Sequence, residues 1–201
     1  MPRVTPLGFL ARILWLALPV VLAGIAHMAI VAADLLPSLK VPLDGGRTIR
    51  GRRVFGDNKT LRGLLAMPAL TALFFAGQSV LSARFGWARE LAPFDYGFPD
   101  SAWHPLSAGA VYGLGYVVAE LPNSFAKRRL DIAPGQESTG WTRRAFVLLD
   151  QVDSVAGCLV ALVAFWTPPP SIAIGLLVVG TGLHLALNAL LWAVGLRKRP
   201  I

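Results

Sequence analysis

Ile13–Ala33 is a run of 21 residues without a single charged side chain. A bilayer core of about 30 Å is crossed by about 20 apolar residues in helical form. Inside hydrocarbon the backbone must satisfy its own hydrogen bonds, so a run of this kind admits little besides a spanning helix. It has company. Phe9–Leu36, Leu64–Ala83, Leu106–Phe125, Ala145–Thr167 and Ser171–Leu196 all qualify or nearly do, the third and fourth carrying acids at one end. Charged residues make up 15% of the chain, against about 25% in ordinary soluble domains. No repeat, low-complexity tract or soluble domain interrupts the pattern. The expectation is an all-α, polytopic integral membrane protein of five transmembrane helices, one domain over residues 1–201. A signal-peptide apolar region runs to about 7–15 residues, so the first segment reads as a retained span. One cysteine, Cys158, excludes an internal disulfide framework and any multi-cysteine zinc site.

The formal charge of +8 would point to nucleic acid in a soluble chain. Here it points to loops at a membrane surface, and no nucleic-acid partner is expected. The loop 37–63 holds Lys40, Arg47, Arg50, Arg52, Arg53, Lys59 and Arg62. The loop 126–144 holds Lys127, Arg128, Arg129, Arg143 and Arg144, and the tail Arg197, Lys198 and Arg199. Fifteen of the nineteen cations thus lie on alternating connections. Only Arg3, Arg12, Arg84 and Arg89 oppose them. The positive-inside rule then sets both basic loops and the C-terminus in the cytoplasm and the N-terminus outside. A cell (inner) membrane location follows, with functional groups facing the cytoplasm. The loop 84–104, with Trp87, Phe94, Tyr96, Phe98 and Trp103, reads as an outer aromatic belt without chemistry.

Topology accounts for lysine and arginine, but not for polar and acidic groups at the cytoplasmic membrane boundary, where they are costly and mark function. Glu120, Asn123, Ser124 and Lys127 recur at i, i+3, i+4 and i+7, one helical stripe. Pro122 removes a backbone donor within it. Asp150 and Asp153 are three apart and share a helix face, which Ser154 and Gly157 extend. Two carboxylates this close repel unless a cation lies between them. Mg²⁺ suits the role, because it binds through one or two carboxylates plus substrate phosphate oxygens. Pairing with Arg143, Arg144 or the cations at 127–129 is the alternative.

The first basic loop, from Pro42 to Gly63, reads PLDGGRTIRGRRVFGDNKTLRG. Glycines, hydroxyls and cations together suit phosphate. Gly51 and Gly56 have P-loop spacing, but Asp57 and Asn58 stand before Lys59 and Thr60 and no strand precedes, so a P-loop is rejected. A second span starting near Thr60 would aim its N-terminal dipole at an anion beside Lys59 and Arg62. His184 and Asn188, four apart in the last span, fit a core hydrogen bond or a cavity wall equally well. His27 reads as a packing residue, Asp34 as a solvated one, and Cys158 as a small buried apolar group.

At these motifs the chain resembles the CDP-archaeol synthase family, relatives of bacterial CDP-diacylglycerol synthases. The matching stretches are Pro42–Gly63, Ser124–Gly135 (SFAKRRLDIAPG), Leu148–Gly157 (LLDQVDSVAG) and His184–Leu196 (HLALNALLWAVGL). They lie in order over nearly the whole chain after the first span. The run LDQVDS also looks like the aspartate-containing signature of the diacylglycerol enzymes, with Gln151 where those usually have Arg, and one departure matters: Pro122-Asn123 stands where a Gly-Asp pair is expected, with Glu120 the nearby acid. The resemblance implies a Mg²⁺-dependent cytidylyltransferase in phospholipid biosynthesis. CTP and a lipid phosphomonoester, either a geranylgeranyl-ether glycerol phosphate or phosphatidic acid, would give CDP-lipid and pyrophosphate. It implies Mg²⁺ on Asp150 and Asp153, phosphate contacts from Lys127 and Arg128, and a hydrogen bond from Ser124. Asp57, Asn58, Lys59 and Thr60, with Arg62 and Asn123, would hold CTP. Two competitors are weaker. A CDP-alcohol phosphotransferase carries a longer DG…AR…G…D…D pattern, absent here. A lipid or anion transporter predicts inverted repeats with paired broken helices, and five spans show no paired halves.

Overall fold

The computed structural model describes residues 5–95, 103–134, 136 and 141–196. Expectations placed on Arg3, Tyr96, Phe98, Gly135, Arg197, Lys198 and Arg199 lie outside the described residues. Six helices follow one another: α1 (Pro6–Ala32), α2 (Leu61–Arg84), α3 (Gly86–Leu91), α4 (Trp103–Arg129), α5 (Trp141–Leu162) and α6 (Pro170–Ala193). Local chemistry sets their ends. Thr5 caps α1 by accepting from the Gly8 amide at 3.1 Å, with Pro6 at the first helical position. Thr60 caps α2 in the same way through Gly63. The apolar run of the first span continues to Leu36, but α1 stops at Ala32 because Pro37 disfavours helix at Leu36, which is left-handed at φ 54°. α5 ends at Leu162, short of the expected Thr167, ahead of the Pro168–Pro170 run. The short α3 lies within the stretch expected to be a loop.

The long helices close a ring. α1 packs on α2, α2 on α4, α4 on α5, α5 on α6, and α6 back on α1. Among the described residues, α1, α2, α5 and α6 each contain a segment long and apolar enough to cross a membrane. α4 is as long as α1 but more polar, and it packs most extensively, against α2 and α5. The core joins Ile13 and Leu16 of α1, Phe75 of α2, Tyr112 of α4, Leu162 of α5 and Leu176 of α6. Outward residues such as Leu73, Val160, Ile174 and Val178 are exposed, as side chains facing lipid would be.

Glycines set the spacing around α4. An added Cβ at Gly113 would fall 2.6 Å from Thr71 Oγ1 of α2. At Gly115 it would fall 2.4 Å from the Gly157 carbonyl oxygen of α5, and at Gly157 2.1 Å from that of Gly115. Small residues of this kind let helix backbones approach where lipid supplies no hydrophobic drive to associate. The ends of the bundle differ. At one, Trp87 meets Trp15 edge-on with centroids 5.6 Å apart, and Phe94 stacks near Trp166 at 5.0 Å. At the other, the C-termini of α1, α4 and α6 and the N-termini of α2 and α5 gather the two basic loops.

Overpacking the α4–α5 contact is expected to cost at least about 1–3 kcal/mol. Gly157→Val should therefore lower the thermal unfolding midpoint in detergent. Gly77→Ala, where an added methyl meets nothing within 4 Å, should leave the midpoint unchanged or slightly raised.

Candidate active site at the basic end of the bundle

The first basic loop is built on one buried carboxylate. Asp44 accepts from the amides of Gly46 (3.0 Å), Phe55 (2.9 Å) and Gly56 (3.0 Å) and from Nη2 of Arg53 (2.6 Å). Burial by itself would push this carboxyl up; the Arg53 guanidinium and the three amides outweigh it and hold the group well below the usual carboxylate range. Gly45, Gly46 and Gly56 all take positive φ, which lets the chain wrap the side chain. Strands β1 (Thr48–Ile49) and β2 (Arg52–Arg53) pair antiparallel across Arg50-Gly51, both at positive φ, a twist-matched two-residue turn.

The loop is fastened to the end of α4. Arg129 donates to the carbonyls of Ile49 (2.6 Å), Arg52 (2.9 Å) and Arg53 (2.6 Å). Arg52 donates back to the Arg129 carbonyl and to Asp131, both at 2.5 Å. A Cβ on Gly56 would stand 2.8 Å from Cγ of Pro134, so the two basic loops are in contact.

Beneath the loop a polar chain runs between helices. Lys127 is paired with Asp150 at 2.5 Å. The Asn123 amide nitrogen donates to Asp150 Oδ1 at 2.8 Å and to Asp153 Oδ2 at 2.9 Å. The Ser154 amide donates to Asp153 Oδ1 at 2.6 Å, and the Ser154 hydroxyl lies 3.0 Å from Glu120 Oε1. Glu120 is paired in turn with Lys59. Three carboxylates thus face two ammonium groups along this chain.

A cavity of about 240 Å³ opens beside Lys59 and Glu120. Asn58, Thr60, His27, Tyr116, His184 and Asn188 also line it. His184 Nε2 lies 3.3 Å from the Tyr116 hydroxyl, and Asn188 donates to Gln151 at 3.1 Å. His184 and Asn188 therefore each combine a cavity wall with an interhelix hydrogen bond.

The structure thus brings Asn123, Lys127, Asp150 and Asp153 together and sets Asn58, Lys59 and Thr60 on the cavity wall. Ser124 is buried. Arg128 is also buried, and its Nε and Nη1 have no hydrogen-bond partner. Two residues of the expected nucleotide set are used otherwise. Asp57 is exposed and paired with Arg53 at 2.6 Å. Arg62 is buried and donates to Asp34 and to the Leu35 carbonyl, each at 3.0 Å. Asp34 is therefore not simply solvated. Hydrogen bonds from Lys40 and Arg62 hold its carboxyl below the ordinary value. Glu120 and Ser154, which the sequence set on the two polar faces without a stated contact, join the site, and so does Tyr116, which sequence reasoning missed. Glu120 and Ser154 share helix faces with Asn123 and Asp150–Asp153, and that shared periodicity was the available signal.

Residues 7–200 match the family model described as CarS-like, CDP-archaeol synthase. The CDP-archaeol synthase of Halobacterium salinarum is 32% identical over 79% of this chain and 82% of its own. That of Thermococcus onnurineus is 33% identical over 79% and 82%, and that of Methanopyrus kandleri 27% over 95% and 93%. A solved structure described as "Structural insight into an intramembrane enzyme for archaeal membrane lipids biosynthesis" superposes with a TM-score of 0.53 at 28% identity. That match covers 87% of this chain and 91% of the other.

Because the folded-state carboxyl of Asp44 is depressed, its stabilisation is complete above the ordinary value of about 4. It is lost as pH falls through the depressed value. Asp44→Asn sets an amide N–H₂ or a weaker carbonyl against three backbone donors. Hydrogen exchange at residues 44–57 is expected to accelerate in this variant at neutral pH, and in the parent only under strong acid.

Proposed function

The chain belongs to the CDP-archaeol synthase family, and we propose that its basic, carboxylate-bearing end is where CMP passes from CTP to a lipid phosphomonoester. The protein is a membrane CTP-dependent cytidylyltransferase. A phosphate oxygen of the lipid attacks the α-phosphorus of CTP. The bond from that phosphorus to the bridging oxygen of the β-phosphate breaks, and pyrophosphate leaves. The attacking oxygen is already anionic, so no strong base is needed. The difficulty is to bring two anions together, and cations with fixed geometry answer it.

The observation that carries this reading is the polar chain from Lys59 to Lys127 under the glycine-rich loop. Lys59 and Lys127 are held by Glu120 and Asp150, so phosphate oxygens exchange for carboxylates as partners of ammonium groups already in position. Arg128 presents buried N–H groups with no protein partner. A buried cation of this kind is stabilised by an incoming anion. The N-terminus of α2, beside Lys59 and Thr60, adds its partial positive charge.

Magnesium fits the carboxylate pair. The donors are all oxygen: Asp150, Asp153 and the side-chain carbonyl of Asn123, which is buried without a partner. The assignment of amide oxygen and nitrogen is exchangeable, so a half-turn of that amide would add its oxygen to the pair. Among the described residues no three His, Cys, Asp or Glu side chains enclose an ion. Mg²⁺ characteristically keeps water and substrate phosphate oxygens in its shell. When bound, the ion would neutralise phosphate charge and align the in-line displacement. Asp150 and Asp153 would hold it, and Asn123 would orient both.

In this reading α4 is the fifth span, its polar residues paired with α5 and the first basic loop and its exposed Val111, Leu114 and Val118 forming the face turned to lipid. The basic end faces the cytoplasm, where CTP is available, with the N-terminus outside. The same polarity sets the protein in the cell membrane.

Labelled CTP offered to the purified protein with geranylgeranyl-ether glycerol phosphate or phosphatidic acid is expected to yield pyrophosphate and CDP-lipid. The preferred acceptor defines the linkage. Chelation should stop turnover and Mg²⁺ restore it. Asp153→Asn should lower kcat/KM by about 10² or more, as for loss of other charge-stabilising groups. Full activity in that variant would overturn the metal assignment.

A further inference from the structure

Glu120 has no task in the reaction as derived above. Asn123 joins Asp150 to Asp153, and Glu120 lies outside that bridge. It stands on the wall of the cavity beside Lys59, where phosphate oxygens gather, and a carboxylate there repels them. Its two oxygens are divided. Oε2 holds the Lys59 ammonium, and Oε1 accepts from the Ser154 hydroxyl at 3.0 Å. Among the described residues Glu120 has no other hydrogen-bond partner, and the Lys59 side chain has Glu120 alone.

The pair is sheltered. Side-chain exposure is 17% for Lys59 and 25% for Glu120, so salt screens it less than a surface pair. The backbone of Lys59 is pinned. The Leu43 amide donates to its carbonyl at 2.8 Å, and the Leu61 amide donates to the Val41 carbonyl at 2.9 Å. The ammonium therefore leaves Glu120 by turning about its own flexible stem, with the loop in place. Glu120 then keeps one hydrogen bond, from Ser154. That hydroxyl also lies 3.2 Å from Asp153 Oδ1. Asp153, however, already accepts from the Ser154 amide and from Asn123. A hydroxyl carries a single hydrogen, and Glu120 is the acceptor that needs it.

Resting on the function proposed above, we infer that Glu120 is an internal competitor for phosphate at Lys59. It occupies the ammonium between turnovers, yields it to a phosphate of the nucleotide, and takes it back as pyrophosphate leaves. Ser154 steadies the carboxylate while Lys59 is away. Glu120 is thus a positioning residue, acting on substrate through Lys59. Apparent affinity falls with the fraction of the site that is ready to bind, so a resident anion weakens substrate and product alike. Tight ground-state binding does not speed the chemical step, and a cluster of unopposed cations would retain pyrophosphate.

Calorimetric binding of inorganic pyrophosphate to the purified full-length protein, with chelator present to exclude metal, tests this role. Glu120→Gln keeps the size and a hydrogen bond to Ser154 but releases Lys59. It should bind pyrophosphate about tenfold tighter, as for a site whose ready fraction rises from about a tenth. Ser154→Ala should bind it about threefold more weakly, because the departing Lys59 then strips Glu120 of its last hydrogen bond. In the double variant the serine effect should vanish, since both residues act through one carboxylate. In turnover, Glu120→Gln should lower KM for CTP and kcat together, with stronger product inhibition by pyrophosphate. Weaker or unchanged binding in Glu120→Gln would mean that Glu120 only holds Lys59 in place, and would overturn the inference. A serine effect that persists in the double variant would do the same. Should Glu120→Gln not fold, Ser154→Ala decides alone, and equal or tighter binding there sinks the idea. Tighter binding by Glu120→Gln, in a protein whose parent makes no CDP-lipid, would instead remove the catalytic reading and leave the competitor standing.

Discussion

The approach of α4 to α5 at Gly115 and Gly157 governs the rest of the molecule. With no side chain on either residue, the backbones meet where any Cβ would collide with a carbonyl oxygen. That contact sets both the distance and the axial register of two antiparallel helices. One turn toward the basic end, Ser154 faces Glu120; one further, Asn123 lies between Asp150 and Asp153; the last pairs Lys127 with Asp150. Displaced by one residue, Asn123 would reach neither carboxylate. Close packing of small residues, itself without chemistry, is thus what assembles the charged site.

The polar character of α4 follows from the same arrangement. Glu120, Asn123 and Lys127 of that helix find partners on α5 and the first basic loop, while Val111, Leu114 and Val118 keep an exposed apolar face on it. Beside it the first basic loop is densely cross-linked despite its glycines. Asp44 gathers three amides and a guanidinium, and Arg129 gathers three carbonyls. Cations that look interchangeable along the chain thereby divide. Arg53, Arg62 and Arg129 are tied to carboxylates and carbonyls, while Lys59 and Lys127 join the polar chain between helices.

Much of the site was legible because helical periodicity is local. The spacing of Asp150 and Asp153, and of Asn123 and Lys127, specifies a shared face before any partner is known. A start of α2 near Thr60 was also allowed for, although the apolar run itself was drawn only from Leu64. Other features were not legible. Nothing near Arg62 announces that Asp34 will neutralise it, and nothing near Asp57 announces that Arg53 will. Glu120 stood on the right stripe, but its pairing with Lys59 joins the end of one loop to the middle of another helix. Each of these contacts depends on how helices rotate against one another.

The sequence by itself determined the all-helical, membrane-embedded character, the gathering of cations in two loops and the class of chemistry. Apolar runs and clustered cations act through the membrane on consecutive residues, and family motifs are read in order along the chain. Only the tertiary structure decided that Asn123 bridges the carboxylate pair and that Tyr116, His184 and Asn188 wall a cavity beside Lys59 and Glu120. The reason is geometric. Partners across helices are chosen by axial register and rotation, and these are set by close contacts between distant glycines, which no single segment encodes.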